Sequence, residues 1–550
     1  MCLSTDNVEV IMLGYSHGDS DIKSQLKDPY SNGMPILRIG LIERRDSIEF
    51  RSSGRFSVLD DQGMAILKDV TSPVKWRVKI GKCLPAKYTY SALLGKFVDY
   101  QAAQDLEYKL LEKGIGTRIK IRGGKLYYGD RVVNDNRQFW VVVDDLASEQ
   151  EAQLFSKERL SDFSYQIIKE KINEPHTLLE LFDSEFEKLG ESENIIRIVP
   201  VTSDVVTYIY DLMLDNEIQH PTVKCRSFLG PLEFRSTSDG KVIIICEVPL
   251  EKYIESVVAL EMKSEFPGEL IKAQAIAIRS KTIASLGIKH YNDSYNLCSG
   301  THCQLFTGLT HISENISRAV QETNGIILRN NRQVIDANYS LMCGGHTESY
   351  HNLYAEGCYD PYPAIFDGDH QHQMKNYGDL TNNEDLKKWV QEEPDVYCNP
   401  FNVQSNNMLN YMRNKFRWHV SYDRQELEEI ISTKMDFDIG ILYDIIPVRR
   451  GISGRILEIE ILASNKNIIL QGEDNICKIL ANERLSSTCF IIDRQFDEDG
   501  FPVSFTLYGA GSGHGVGLCQ AGGIAMALQG MSYDVILAHY FKGLKVKKIY

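Results

Sequence analysis

The stretch that most restricts the fold is an apolar strand that continues directly into two helices. KVIIICEVPL (241–250) is an apolar run of strand length, and EKYIESVVALEM continues it with apolar residues at helical spacing. Pro267 opens a second helix, since proline favours the first helical position. The strand, the two helices and the long mixed region after them predict an α+β fold.

One carboxylate lies on the apolar face of the first helix. Leu250, Ile254, Val257 and Val258 form a stripe at i, i+4, i+7 and i+8, and the next position of that stripe, i+11, is Glu261. Burial disfavours the charged form of a carboxyl group and raises its pKa, which suits a general acid near neutral pH. The same pattern also fits an ordinary amphipathic hairpin with a glutamate at its edge.

The other charged residues of the two helices are assigned by their position around the stripe. Glu251 and Glu255 fall on the polar side of the first helix. The second helix carries small residues for close packing beside three polar ones, Lys272, Gln274 and Arg279.

Composition excludes several classes of protein. The chain has 550 residues, 43% hydrophobic and 25% charged, which is typical of folded chains of about two to four domains. Its 60 Lys and Arg against 75 Asp and Glu give a net charge of −15, which disfavours general binding of nucleic acid or anionic membranes. No apolar run approaches the roughly 18 residues of a membrane helix. The first residues, MCLSTDNVEVIMLG, lack the basic and apolar regions of a signal peptide.

Three regions are predicted along the chain. Residues 1–80 are a β-rich segment of short alternating strands, 81–204 an αβ insertion, and 205–550 the main domain. The β-α-β-β-α order within the insertion loosely resembles a SPOR module, a small fold that binds peptide-stripped glycan strands. The alternative is a structural insert without a function of its own. The charged run 157–200 is predicted to be helical.

Cysteine and histidine concentrate in one loop, HYNDSYNLCSGTHC. His290, Cys298, His302 and Cys303 offer two thiolates and two imidazoles, which are suitable tetrahedral zinc ligands, although the spacing is not that of a zinc finger. From these residues alone, a metal site, a disulfide and a buried cluster all remain open. Isolated cysteines are expected to be small buried hydrophobic residues; they are Cys83, Cys225, Cys246, Cys398, Cys477 and Cys489.

Four motifs follow one another in the region 222–550. They are VPLEKYIESVVALEM with ELIKAQAIAIRSKT, then CSGTHCQLFTG, then YSLMCGGHTES, and finally GAGSGHGVGLCQAGGIAMALQGMSYDVILAHYFKG. In this order they resemble the stage II sporulation protein D (SpoIID)/LytB amidase-enhancer family. The RIGL strand near the N-terminus is similar to the leading β segment of that family, whereas residues 80–200 have no counterpart in it.

The resemblance implies a lytic transglycosylase that cleaves peptidoglycan glycan strands, preferably stripped of stem peptides, to 1,6-anhydro-muramic acid ends. The family's catalytic glutamate corresponds to Glu261 in ALEM. One carboxylate is enough for this reaction, because the muramic 6-hydroxyl attacks its own anomeric carbon, whereas most glycosidases need two carboxylates. Two other classes remain: a non-catalytic glycan-binding enhancer of a peptidoglycan amidase, and a scaffold or adhesion module.

The resemblance also implies a cofactor, a location and a set of glycan contacts. It implies a structural zinc ion at the Cys/His loop and no organic cofactor. Peptidoglycan as the substrate implies a periplasmic or exported protein. Arg279 would also orient Glu261, and Glu348 is the alternative acid, while a structural turn is the alternative role of the glycine-rich motif around His514. The implied glycan-binding residues are Lys272, Gln274, Arg279, Ser340, Gly344, Gly345, Thr347, Glu348, His514 and Gln520.

Overall fold

The computed structural model describes most of the chain as alternating strands and helices, which confirms the predicted α+β class. The described residues are 35–128, 131–210, 225–237, 239–308, 312–331, 333–353, 361–369, 374, 376–402 and 412–550.

Five strands open the described chain, and in β2 and β3 the buried residues alternate as the sequence pattern predicts. In the second of them, for example, every other residue is buried. The strands are β1 (Ile36–Arg45), β2 (Ser47–Ser52), β3 (Arg55–Leu59), β4 (Ala65–Thr71) and β5 (Trp76–Leu84).

A unit with its own antiparallel sheet follows these strands. Its elements are β6 (Tyr88–Phe97), α1 (Tyr100–Glu112), β7 (Arg118–Arg122), β8 (Lys125–Tyr128), β9 (Arg131–Asp135), β10 (Gln138–Leu146), α2 (Glu149–Arg159) and β11 (Gln166–Lys171). Its four-stranded sheet has the order β11-β6-β10-β7, and both helices pack on that sheet. Apart from the β8–β9 hairpin, this is the βαββαβ connectivity of ferredoxin-like units.

The face of this sheet that carries Trp140 packs on the main domain. The Trp140 ring contacts Tyr291 edge to face at 5.2 Å between centroids. The Asn136 side chain donates to the backbone carbonyls of Ala284 and Leu286, at 3.0 and 2.7 Å. These contacts join the inserted unit to the segment beside the Cys/His loop.

The chain then returns to the N-terminal strands. The returning strands are β12 (His176–Phe182), β13 (Lys188–Glu193), β14 (Ile195–Pro200), β15 (Val206–Tyr210), β16 (Cys225–Leu229), β17 (Leu232–Ser236), β18 (Val242–Pro249) and β19 (Leu297–Cys298). They complete a six-stranded sheet, β13-β12-β5-β2-β15-β16, and a seven-stranded sheet, β19-β1-β18-β17-β14-β3-β4. The predicted insertion 81–204 therefore contains the four-stranded unit, while its last part pairs with β5, β3 and β17.

The helical prediction for 157–200 is wrong beyond the end of α2. Residues 176–182 and 195–200 are strands in which buried and more exposed residues alternate. The buried residues recur at every second position, although the apolar residues themselves also occupy adjacent positions. Pairing with β5, β3 and β17 therefore outweighs the local helical preference of the many Glu and Leu residues nearby.

Strand β18 leads directly into the predicted pair of helices, α3 (Leu250–Glu261) and α4 (Gly268–Ser285). Strand β1, which contains RIGL, pairs antiparallel with β18, so that Ile36 faces Pro249. The N-terminal strand thus supports the base of α3.

The remaining elements complete the main domain. They are α5 (Glu314–Glu322), β20 (Ile326–Arg329), β21 (Tyr339–Ser340), α6 (Tyr350–Leu353), α7 (Asn383–Gln391), α8 (Arg413–Phe416), β22 (Arg417–Asp423), α9 (Arg424–Met435), β23 (Leu442–Arg450), β24 (Ile456–Ala463), β25 (Ile468–Gln471), α10 (Glu473–Ile479), β26 (Phe490–Phe496), β27 (Pro502–Ala510), β28 (Leu518–Cys519), α11 (Gln520–Leu528), α12 (Tyr533–Tyr540) and β29 (Lys545–Lys548).

Most helices and strands of the protein pack around two large hydrophobic cores. The first joins the N-terminal sheets to α3, α4, α11 and α12. The second lies among β22–β27, α9 and α10. Short strands β21 and β28 pair in parallel and bring the third and fourth motifs side by side.

Three cysteines depart from the prediction that isolated cysteines are buried apolar residues. Cys225 is exposed and Cys83 is only half-buried, because the side chains of their strands alternate between the core and solvent. Cys398 is buried but lies beside other thiols and a carboxylate. No helix in the described part of the chain is long and apolar enough to cross a membrane.

Candidate active site

Glu261 is the last residue of α3 and lines a surface cleft of about 440 Å³. The four stripe residues that precede it are fully buried, as their spacing predicts. The Gln520 side-chain Nε2 donates to Glu261 Oε2 at 3.3 Å. The helix stripe therefore brings this carboxylate to the N-terminus of α11, 259 residues later in the chain.

The surroundings of Glu261 favour its protonated form. Burial raises the pKa of the Glu261 carboxyl, and the hydrogen bond from Gln520 partly opposes this effect. Desolvation penalises the carboxylate, whereas a donated N–H stabilises it. Glu261 is thus a carboxyl group that keeps its proton to higher pH than an exposed glutamate.

The prediction that Glu251 and Glu255 lie on a polar face is wrong, because both are buried. Glu251 accepts two hydrogen bonds from the Arg279 guanidinium, at 2.8 and 2.6 Å. It also accepts one from the hydroxyl of Tyr550. Helix α5 and the β20–β29 pair cover this side of the helix pair, and periodicity within α3 could not reveal them.

Arg279 does not orient Glu261. Its side chain is fully buried, and it also donates to the carbonyl of Ile326 at 3.0 Å. Its hydrogen bonds to Glu251 and Ile326 tie α3, α4 and β20 together, and its fully buried side chain offers no surface to a glycan.

The other predicted residues of α4 also face protein. Lys272 forms ion pairs with Glu269 at 2.9 Å and Glu322 at 2.7 Å, and these hydrogen bonds raise the pKa of Lys272. Gln274 is fully buried, and its amide has no hydrogen-bond partner among the described residues.

The glycine-rich motif holds His514 as a neutral imidazole. Its Nδ1 accepts from the backbone N–H of Val516 at 2.9 Å, so the proton of the neutral ring is on Nε2. Burial lowers the pKa of His514 to about 3, helped by the charges of Lys281 and Arg455. Ser340 lies close to this motif, and its buried hydroxyl has no partner within the described residues.

The CGGHTE segment is engaged in internal contacts. Glu348 accepts hydrogen bonds from the Ser453 hydroxyl at 2.6 Å and from Asn352 at 2.9 Å. Thr347 bonds through its hydroxyl to the backbone of residue 365. A Cβ at Gly344 would come within 2.8 Å of backbone, and one at Gly345 within 2.6 Å of the Trp389 ring. These contacts are all internal to the protein, and the Glu348 carboxylate is engaged by Ser453 and Asn352.

The structure brings the four predicted metal ligands together. One potential ligand atom from each of His290, Cys298, His302 and Cys303 lies within 4.8 Å of all the others. His302 Nδ1 is 3.2 Å from His290 Nε2, 3.8 Å from Cys298 Sγ and 3.7 Å from Cys303 Sγ. Ligands around tetrahedral zinc would be about 3.3 Å apart for two nitrogens and about 3.6 Å apart for nitrogen and sulfur.

Two further features of the loop fit a metal. Asp293 Oδ2 lies 2.8 Å from His290 Nδ1, which leaves Nε2 of His290 directed at the cluster, in the usual manner of histidine ligands. Hydrogen bonds from Cys303 and the two histidines lower the pKa of the Cys298 thiol, despite its burial. The donor set therefore fits zinc with all four positions filled by protein.

The loop is attached to the helices and to the third motif. Gln304 donates from Nε2 to Thr282 on α4 at 2.8 Å and accepts from the Tyr339 hydroxyl at 3.2 Å. The Tyr253 ring on α3 stacks on Phe306 at 5.4 Å. The Cys/His loop is thus a support beside the hairpin that ends in Glu261.

Sequence reasoning missed several residues that hold the site. Arg455 is buried and donates to the carbonyls of Cys343 and Gly513, at 3.1 and 3.3 Å, joining the third and fourth motifs. Lys281 is buried against Asp336 and Asn338. No pattern of apolar residues predicts that these two cations are buried. Their burial is explained by hydrogen-bond partners that are distant in the sequence.

Comparison with known families agrees with this arrangement. Residues 238–329, which include the helix pair and the Cys/His loop, match the family model described as Stage II sporulation protein (SpoIID). Residues 361–517 match a domain of unknown function, DUF8618. The first two motifs lie within residues 238–329, so this match confirms the resemblance to the SpoIID family.

Three relatives are 22–26% identical to this chain over the residues that align with it. An uncharacterized protein of Brachyspira hyodysenteriae is 26% identical over 320 residues, which are 58% of this chain and 72% of that protein. Stage II sporulation protein D of Bacillus subtilis is 22% identical over 316 residues, 55% of this chain and 75% of that protein. The amidase enhancer of Bacillus subtilis is 23% identical over 292 residues, 53% of this chain, and the match spans only 39% of the enhancer.

Proposed function

We propose that this protein is a lytic transglycosylase that cleaves peptidoglycan glycan strands outside the cytoplasm, with Glu261 as acid and then base. Strands stripped of stem peptides are the proposed substrate. The observation that carries the proposal is a single partly buried carboxyl group with a raised pKa, which lies at an open cleft and is held by the motif that contains Gln520.

The reaction suits one carboxyl group. Protonated Glu261 would give its proton to the glycosidic oxygen as the bond to C1 of muramic acid breaks. The carboxylate would then take the proton of the muramic 6-hydroxyl as that oxygen bonds to C1. The products are a 1,6-anhydro-muramic end and a new 4-hydroxyl, and no water is consumed. Glu348, the other candidate acid, has its carboxylate engaged by Ser453 and Asn352.

A zinc ion held by His290, Cys298, His302 and Cys303 would have a structural role. When bound, it would supply a cross-link within the loop, because four protein ligands leave no open position for a substrate or water. The contacts of Gln304 and Phe306 would transmit that rigidity to α3 and α4.

A second candidate function is that of a glycan-binding enhancer of a peptidoglycan amidase. It is supported by the similarity to the amidase enhancer of Bacillus subtilis. An enhancer would bind glycan without needing the proton on Glu261, so replacement of this residue separates the two functions.

The decisive experiment incubates wild type and Glu261→Gln with peptide-free glycan strands and analyses the products by mass spectrometry. We expect 1,6-anhydro-muramic ends from wild type and a loss of about 10²–10⁴-fold in the variant, the usual contribution of general acid–base catalysis. Glu265→Gln is the matched control, since this exposed glutamate lines the same cleft. If wild type binds the glycan strands but leaves them intact, the transglycosylase proposal is wrong and the enhancer function is favoured.

A further inference from the structure

A second group of potential ligands lies away from the Cys/His loop, in the first hydrophobic core. It consists of Cys343, Asp367, Cys398 and Cys519, all of them buried, with one ligand atom from each within 4.8 Å of the others. The proposed transglycosylase reaction uses none of these side chains. The four residues come from four separate segments of the chain, so their convergence is a product of the tertiary fold.

Distances within the group match a tetrahedral site. Cys343 Sγ lies 3.6 Å from Cys398 Sγ and 3.3 Å from Asp367 Oδ2. Around zinc, two sulfur ligands would be about 3.8 Å apart, and a sulfur and an oxygen about 3.6 Å apart. A disulfide would need the sulfurs at about 2.05 Å.

The Asp367 carboxylate is oriented as a metal ligand would be. Its Oδ1 accepts a hydrogen bond from the Tyr540 hydroxyl at 2.7 Å and lies 3.4 Å from His539 Nε2. Its Oδ2 faces the Cys343 sulfur instead. Outer hydrogen bonds of this kind fix the ligating oxygen of a carboxylate.

Charge balance also points to a cation. Asp367 is fully buried, and its hydrogen bonds from the Tyr540 hydroxyl and from the backbone N–H of Cys398, at 2.7 and 3.2 Å, come from neutral donors. Among the described residues, only His539 lies within ion-pair distance of it, and a histidine is charged only when protonated. Burying an ionised carboxylate is costly without compensation. Backbone N–H groups of Cys343 and Gly522 lie 3.3 and 3.4 Å from the Cys519 sulfur and would stabilise a thiolate there.

We propose that Cys343, Asp367, Cys398 and Cys519 bind one zinc ion in a closed structural site. Three thiolates and one carboxylate are a donor set that favours zinc among the common divalent ions. On binding, each thiol releases its proton to solvent and donates through sulfur. The four protein ligands leave no position for a reacting water, so the ion acts as a cross-link.

The cross-link would join the two ends of a long segment of the chain, between Cys343 and Cys519. Asp367 and Cys398 lie within the segment 361–517 that matches the domain of unknown function, and Cys343 and Cys519 flank that segment. A metal that joins the two flanks of such a segment removes much chain entropy from the unfolded state. Cys519 also immediately precedes Gln520, so the ion would fix the start of α11, from which Gln520 reaches Glu261.

The test counts zinc in the purified full-length chain by native mass spectrometry and elemental analysis. The double variant Cys298→Ser/Cys303→Ser removes the loop ligands, and we expect it to retain one zinc per chain. Adding Cys398→Ser is expected to remove that zinc. Cys489→Ser is the control, because Cys489 is a buried thiol that bonds to the carbonyl of Ser453 and belongs to neither group.

Cobalt identifies the ligands without relying on the stability of the last variant. Apo protein of the loop double variant, titrated with Co²⁺, should give the visible bands of tetrahedral cobalt and a strong sulfur-to-cobalt charge-transfer band from three thiolates. Absence of zinc and of these bands, with twelve reactive thiols in unfolded wild-type protein, would overturn the proposal in favour of a thiol cluster. A mass lower by two hydrogen atoms, with a Cys343–Cys398 cross-link, would overturn it in favour of an oxidised disulfide.

Discussion

The Gln520 side chain donates a hydrogen bond of 3.3 Å to Oε2 of Glu261, so the first residue of α11 contacts the last residue of α3. Burial raises the pKa of the Glu261 carboxyl, and the hydrogen bond from the Gln520 amide partly opposes this rise. The contact therefore adjusts the protonation of the proposed catalytic group, besides holding two motifs together.

Replacing Gln520 with alanine should shift the alkaline limb of the activity profile to higher pH. The active form of Glu261 is protonated, so activity is lost as pH rises through its pKa. Removing an N–H that stabilises the carboxylate raises that pKa further. Rates of glycan cleavage over a pH series measure the shift. Gln529→Ala, at the exposed end of α11, should leave the profile unchanged, and a shift of the limb to lower pH in Gln520→Ala would contradict the assigned role.

The partly buried Glu261 should also make the protein less stable as pH rises. Its pKa is raised in the folded state, so between the unfolded value of about 4.3 and the folded value the native protein binds more protons than the unfolded chain. Stability contributed by the protonated group is lost across that window. We expect Glu261→Gln to be more stable than wild type above the window, as measured by urea unfolding at several pH values. An equal or lower stability of the variant there would show that the carboxylate is solvated.

Arg279→Met should destabilise the protein by about 3–5 kcal/mol, because it leaves the buried Glu251 without its cation. Lys272→Met on the same helix is the control and should cost about 0–1 kcal/mol, since its partners are largely exposed. Urea unfolding of both variants measures the difference. A normally stable Arg279→Met protein that has lost glycan binding would restore the glycan contact expected from the sequence.

Gly345→Ala should destabilise the fold. Gly345 has a φ of 107°, and an added Cβ would lie 2.6 Å from the Trp389 ring. Strain at such positions is of order 1–3 kcal/mol. Gly268→Ala, at the open start of α4, has nothing within 4 Å of the new Cβ and should be neutral or slightly stabilising. Thermal unfolding distinguishes the two variants. An unchanged Tm for Gly345→Ala would show that the Trp389 ring moves aside without cost.

Asp293→Asn should weaken zinc binding at the Cys/His loop by about 10–100-fold, the usual effect of losing an outer partner of a histidine ligand. Competition with a chromophoric chelator measures the change. The control is Asp239→Asn, an exposed substitution far along the chain from the loop. Equal affinities of wild type and Asp293→Asn would mean that His290 is not a ligand.

Local pattern was enough to predict much of this protein. The i+4 and i+7 spacing of α3 placed Glu261 at the end of a buried stripe, since a helix repeats its faces every 3.6 residues whatever surrounds it. The proximity of His290, Cys298, His302 and Cys303 predicted a ligand group, because a short loop keeps its residues together. The first two motifs predicted the resemblance to the SpoIID family, which the match of residues 238–329 confirms.

The tertiary structure decided which polar side chains are buried and which residues they contact, and local sequence pattern could not predict this. Glu251 was assigned to the polar side of α3, yet α5 and the β20–β29 pair cover that side and its charge is balanced by Arg279. Cys398 appeared isolated, yet it meets Cys343, 55 residues away, and Cys519. The burial and partners of a side chain depend on segments that pack on it from elsewhere in the chain. The periodicity of apolar residues within one helix or strand cannot predict these distant segments.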